Sequence, residues 1–176
     1  GEGVSRVGLA VYSKPNEHFK AFLSQRCKEN KVLEYQGGVI PKYNPRLKTH
    51  DTENKVFLLG DAATQVKWTT GGGIIQGLIA AEAASKAIIT KQNYQTLWKE
   101  KLGKDLWLHL QVRNLMDKFS ERDYNKLIKL TNQEKIKSIL ATHDRDYIAQ
   151  FLLKSIVKEP RYLLYAKNIF KKPHHV

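Results

Sequence analysis

The chain has 176 residues and almost no sulphur, with a single cysteine, Cys27, and one methionine. One cysteine excludes an intramolecular disulfide, and such a residue is expected to be a small core side chain rather than a nucleophile. That usage suits a cytoplasmic setting. No apolar run approaches the roughly 20 residues that span a bilayer, and the first residues lack the basic, apolar and small-residue succession of a signal peptide. Metal-ligand spacings are missing. No Ser/His/Asp or Cys/His set can be assembled either, because His18, His109 and His143 are isolated and His174 and His175 lie in the tail. Acidic residues are scarce: 17 Asp and Glu stand against 30 Lys and Arg, a net charge of +13. That charge allows nucleic acid, an anionic membrane or an acidic ligand as partner and does not by itself choose among them. Nucleic acid is not expected, since no zinc-finger spacing, RNP-like motif or Arg-rich segment accompanies the charge.

What is present centres on the stretch from Lys55 to Ile89. Val56, Phe57, Leu58 and Leu59 form an unbroken apolar run that predicts a strand covered on both faces. Gly60 ends it, and Asp61 then stands just beyond the strand's carboxyl end, where ligands of open α/β sheets bind. Gly71, Gly72 and Gly73 precede Ile74 and a segment rich in Ala80, Ala81, Ala83, Ala84 and Ala87, which predicts a helix through Ile89. Glycine at such a start lets a ligand approach the backbone, and the unpaired N–H groups favour an electron-rich partner.

Gly60-Asp61-Ala62-Ala63 followed by Thr70-Gly71-Gly72-Gly73-Ile74 resembles the second flavin-binding motif of the geranylgeranyl reductase family. The resemblance implies an FAD-dependent oxidoreductase of the aromatic-hydroxylase-like α/β fold that reduces isoprenoid double bonds of lipids, including archaeal ether lipids. It places Asp61 on a ribityl hydroxyl and the backbone of Gly72 and Gly73 at the pyrimidine edge of the isoalloxazine. Gly60, Ala62, Gly71 and Ile74 complete the expected cofactor contacts. The chain departs from the pattern at Thr64, where the family often has glycine, and at Trp68, where it often has proline. Trp68 thereby joins Gly37, Gly38 and Pro41 of the GGVIP string, which resembles the family's segment leading back to the flavin, as expected substrate-side residues. No catalytic side chain is assigned, since a flavin carries the hydride chemistry itself.

Along the chain, Val7, Leu9 and Val11 alternate with Gly8, Ala10 and Tyr12, which predicts a strand. Gly1-Glu2-Gly3 is rejected as a dinucleotide fingerprint, because no strand precedes it and no third glycine follows. Pro15 with Phe19, Phe22, Leu23 and Cys27 predicts a helix over 15–29. Residues 32–40 read as a further strand broken by Gly37-Gly38 and ended by Pro41, and 42–54 as a polar connection containing His50 and Asp51. Beyond Ile89 the period turns helical through Tyr94, Trp98, Leu102, Leu106 and Phe119, with Gly103 the weak point. Ser120 with Asp123 and Thr131 with Glu134 match capping boxes for two more helices. A stripe of Ile148, Phe151, Leu152, Ile156 and Val157 precedes Pro160, which opens a last helix to Phe170 before a fraying tail at 171–176.

The expected fold class is therefore α+β as a fragment: residues 1–54 as part of a substrate-side sheet with one helix, 55–90 as the second FAD-binding motif, and 91–176 as a helical region. The Rossmann half that the family carries is not found in these residues, so tight FAD retention and activity are not expected of this chain alone, and self-association is. Besides FAD, the expected partners are an isoprenoid lipid, an electron donor that no motif specifies, and an anionic membrane surface met by Lys154, Lys158, Arg161, Lys167, Lys171 and Lys172. Peripheral attachment to a membrane would follow. Two other readings stay open, an FAD-dependent hydroxylase of the same fold and a cofactor-free basic helical interaction module.

Overall fold

Pro15 fixes the first turn of a helix without losing a useful donor, and α1 runs from Pro15 to Arg26 with Glu17 in its first turn and Arg26 in its last. In this computed structural model the described residues are 3–27, 31–51, 53, 55–142 and 154–170, with the backbone alone at 140 and 166–170. The chain divides into two units, residues 1–38 and residues 39–174. In the first unit no residue of α1 is buried. Phe19 stacks on Phe22 and meets Tyr35 edge-on, at centroid distances of 6.5 and 6.4 Å.

The expected strands are not built. Among the described residues there is no sheet, only an isolated antiparallel bridge between His50 and Phe57, and the α+β expectation gives way to a helical chain. A strand is completed by a ladder of N–H and C=O partners on a neighbour, and the segments that alternate in sequence find none here. Their apolar side chains show it: Val7, Leu9, Val11, Leu33, Tyr35 and Val39 are all exposed. In the 56–59 run, Val56 is exposed while Phe57 and Leu59 pack against the core, so the run is covered on one side only.

The second unit is organised by α2, Ile74–Thr90, and the helical run that follows it. Ala80, Ala83, Ala84 and Ala87 occupy the buried face of α2, and their small side chains let Tyr94, Trp98, Leu102, Leu106 and Leu110 close over them. Those five come from one continuous helical stretch, α3 at Tyr94–Trp98 and α4 at Lys104–Met116, joined by a π-helical segment at Lys99–Gly103. Gly103, the expected weak point, thus marks a widened turn and not a break. Asn93 caps α3 by accepting the Thr96 N–H at 2.9 Å.

Two shorter helices finish the unit, α5 at Glu121–Thr131 and α6 at Glu134–Thr142. The Ser120–Asp123 capping box forms in both directions. Thr131 does not cap α6. It is the last residue of α5, and its hydroxyl lies 3.2 Å from that of Tyr162. Pro160 opens a 3-10 helix to Phe170 rather than an α-helix. With three residues per turn, Tyr162 and Tyr165 share the inner side and Leu163 and Leu164 stay exposed. Of the stripe before Pro160, Ile148, Phe151 and Leu152 lie outside the described residues, as do His143 and the 171–176 tail, and Val157 is exposed. No described helix is long and apolar enough to cross a membrane.

Candidate functional site

Leu59 is extended, with φ −131° and ψ 158°, and hands the chain to Gly60, which starts a single 3-10 turn over Gly60–Ala63. Gly60 has φ +58°, a conformation only glycine enters without strain. A buried amide holds the turn. Gln65 accepts the Gly60 N–H on Oε1 at 2.8 Å and donates from Nε2 to the Tyr94 hydroxyl at 3.2 Å. Tyr94 in turn donates to the Leu58 carbonyl at 2.9 Å. Burial pushes the Tyr94 phenol up from its ordinary value, against the opposing bond from Gln65, so the donor stays protonated. One side chain of α3 thereby fixes both ends of the turn.

Thr64 follows in the left-handed region at φ +55°. That conformation is the physical reason glycine suits the position. Threonine recovers a contact glycine lacks, its hydroxyl accepting the Asn44 N–H at 2.9 Å. The loop then closes on itself. Lys67 donates its N–H to the Gly72 carbonyl at 2.9 Å and accepts from Thr70 and Gly71 at 3.1 and 2.8 Å. From below, Thr69 Oγ1 lies 2.6 Å from Nδ1 of His109, a buried residue of α4.

The three glycines are each used differently. Gly71 has φ +73°, and a Cβ there would lie 2.7 Å from Ile40 Cδ1. Gly72 runs beside the aliphatic part of Lys67, whose Cε would be 3.0 Å from an added Cβ. Gly73 is the N-cap of α2 and supplies no side-chain cap, so the first N–H groups of the helix keep their donor capacity. A Cβ on Gly73 would stand 3.2 Å from Oδ1 of Asp61. The Asp61 carboxylate therefore lies against the start of α2. It is exposed and has no hydrogen bond or ion pair among the described residues. Gly77 permits the helix to touch the turn, with its Cβ position 3.9 Å from Gly60 Cα.

An acceptor-only carboxylate and a set of open helical donors thus sit side by side with no Cβ between them. The carboxylate can take a hydroxyl, and the N–H groups can face an electron-rich ring edge or an anion. The residues present fit a flavin on that observation. Ala62 is exposed beside Asp61, and Ile74 points outward at 82% exposure. Of the expected substrate-side residues, Trp68 is partly buried and packs against the core, and Pro41 is half-buried beside Ile40. Gly37 and Gly38 belong to the first unit, and space is open around their Cβ positions. Gln65, Tyr94 and the Thr69–His109 pair were not selected from sequence as site residues. Their partners lie 29 and 40 residues away, and no short-range pattern encodes that.

No protein-family model matches the chain, and no solved structure matches it significantly. Among curated proteins it is 30% identical over 184 residues to the digeranylgeranylglycerophospholipid reductase of Methanocaldococcus jannaschii, covering 94% of this chain and 44% of that protein. It is 28% identical over 194 residues to digeranylgeranylglycerophospholipid reductase 2 of Methanopyrus kandleri, covering 97% of this chain and 48% of the relative. These likenesses support a geranylgeranyl reductase-like family for the chain. A third relative, digeranylgeranylglycerophospholipid reductase 2 of Methanococcoides burtonii, is 32% identical over 144 residues, 72% of this chain and 35% of that protein. The likeness extends far beyond the GDA and GGG motifs, and the chain spans less than half the length of each of these relatives.

Proposed function

We propose that this geranylgeranyl reductase-like chain is the flavin-gripping and helical part of an FAD-dependent oxidoreductase that reduces isoprenoid double bonds of a lipid. The observation that carries it is the unpaired Asp61 carboxylate against Gly73 at the open start of α2. The relatives' names supply the reaction class and the substrate, a digeranylgeranylglycerophospholipid. When bound, FAD supplies the hydride chemistry. Asp61 would accept a ribityl hydroxyl, and Gly72, Gly73 and the first N–H groups of α2 would meet the ring's electron-rich edge. The Gln65–Tyr94 pair keeps the turn that carries Asp61 in place. Trp68 closes the loop's inner side against the core and excludes water there.

The outer face of α2 is apolar and open, with Ile74 82%, Leu78 63% and Ile89 76% exposed. A face of this kind supports docking against further protein, in keeping with relatives more than twice this chain's aligned share. Association of the exposed Leu163, Leu164 and Lys158 with an anionic membrane is part of the same reading.

The test is a titration of FAD into the chain, followed by flavin fluorescence, for the parent and for Asp61→Ala. Saturable but weak binding is expected, with the variant weaker by about tenfold for loss of one charge-assisted hydrogen bond. Equal binding by the two proteins removes Asp61 from the site.

A further inference from the structure

A groove of about 470 Å³ opens between residues 48–51 and the stretch from Asn93 to Lys99, with no residue of the GDA turn in its lining. Two ammonium groups line it, Lys48 and Lys99, and neither is paired with a carboxylate among the described residues. Lys99 is held in place. Its Nζ donates to the Pro45 carbonyl at 3.0 Å and lies 5.7 Å from the centroid of the Trp98 ring, which leaves further N–H donors for another acceptor. Asp51 is the one acid in the lining. Its Oδ1 already accepts the N–H groups of Lys55 and Val56, at 2.7 and 3.1 Å, so much of its charge is satisfied within its own turn.

The remaining polar groups add donors and few acceptors. Asn93 Oδ1 takes the Thr96 N–H and hydroxyl at 2.9 and 3.2 Å, which turns its Nδ2 towards His50 Nε2 at 3.1 Å. His50 Nε2 accepts that bond, and its Nδ1 is buried and out of reach of the groove. A recess with two ammonium groups and one carboxylate already bonded within its own turn is short of negative charge. We propose that it binds a phosphate group, carried either by a phospholipid head group or by a free phosphate ester. The proposal does not rest on the flavin reading, since it uses none of the residues assigned to FAD.

The experiment titrates the chain with inorganic phosphate, with glycerol phosphate, and with vesicles of phosphatidylglycerol in phosphatidylcholine against phosphatidylcholine alone. Binding is followed by calorimetry and by amide chemical shifts. Saturable binding of at least one phosphate probe is expected, falling with added salt. Lys48→Gln, which removes no side-chain hydrogen bond among the described residues, should weaken it, and Lys48→Gln with Lys99→Gln should weaken it about tenfold or more. Vesicle binding that drops in these variants, without binding of the soluble probes, identifies a head group. Binding of the soluble probes identifies a free ester. Asp61→Ala should leave either result unchanged, which separates this groove from the flavin site. No saturable binding of any probe, or binding that both lysine variants retain, overturns the proposal.

Discussion

Gly71 has room for a hydrogen and nothing larger. Its positive φ already excludes most side chains, and Ile40 Cδ1 occupies the space a Cβ would need. Gly71→Ala is expected to destabilise the chain by about 1–3 kcal/mol, through left-handed strain and overpacking together. Gly72→Ala should cost less, because φ there is not positive and only the flexible end of Lys67 must move. Urea midpoints measure both, and equal losses would refute the distinction. In the Gly71→Ala background, Ile40→Ala should return the steric part and leave the backbone part. The motif made these glycines visible in the sequence. The contact from Ile40 was not, since nothing local pairs a residue of the GGVIP string with the triple glycine 31 positions later. Thr64 divides the same way: its departure from glycine was legible, while the bond to Asn44 that accompanies its left-handed backbone appears only in the fold.

At the scale of elements, α3 secures the GDA turn. Tyr94→Phe keeps the ring against Phe57 but leaves the Leu58 carbonyl and the Gln65 Nε2 each short of a buried partner. A loss of about 1–3 kcal/mol is expected. Chemical denaturation checks it, and a phenylalanine variant as stable as the parent would show that the hydroxyl's bonds are replaced by water. Helix starts were well marked by local chemistry, because a cap acts within one turn: Ser120 and Asp123 satisfy each other across three residues. Thr131 had the right spacing from Glu134 and the wrong role. Nothing ends α5 before it, so its hydroxyl points to Tyr162 instead. Pro160 was equally ambiguous. It announces a helical start, whereas the 3-10 winding that turns both Tyr162 and Tyr165 inward depends on what lies beneath them. Phe119 is part of that, stacking on Tyr165 at 5.0 Å.

Across the whole molecule, α6 is tied to the last described segment by a buried carboxylate. Glu159 is 2% exposed and bonds to Arg161 and, at 2.9 Å, to Lys135. The Arg161 guanidinium first and Lys135 second hold the Glu159 carboxyl far below its ordinary value of 4.5, with burial opposing them. A depressed carboxyl stabilises the fold above its unfolded value and loses that contribution as pH falls. Thermal midpoints of the parent should therefore drop on acidification below about pH 4.5, more steeply than those of Glu159→Gln. Parallel pH profiles would show that the ion pair contributes nothing across the junction.

The sequence by itself determined the elements whose causes are local: a helix expected over 15–29 is built over 15–26, one expected from Ile74 to Ile89 runs to Thr90, the capping box of α5 forms, and the excess of cations is a matter of composition. Its motif also named the family to which the curated relatives belong. Alternation of apolar residues did not yield a sheet among the described residues, because a strand's hydrogen-bonding partners lie outside the strand itself. Only the tertiary structure decided what Asp61 faces, which amide holds its turn, and which cations stay unpaired. Asp61 meets Gly73 across twelve positions and Gln65 reaches Tyr94 across 29, contacts fixed by how the alanine face of α2 receives Tyr94 and Trp98, and no local pattern in the chain encodes them.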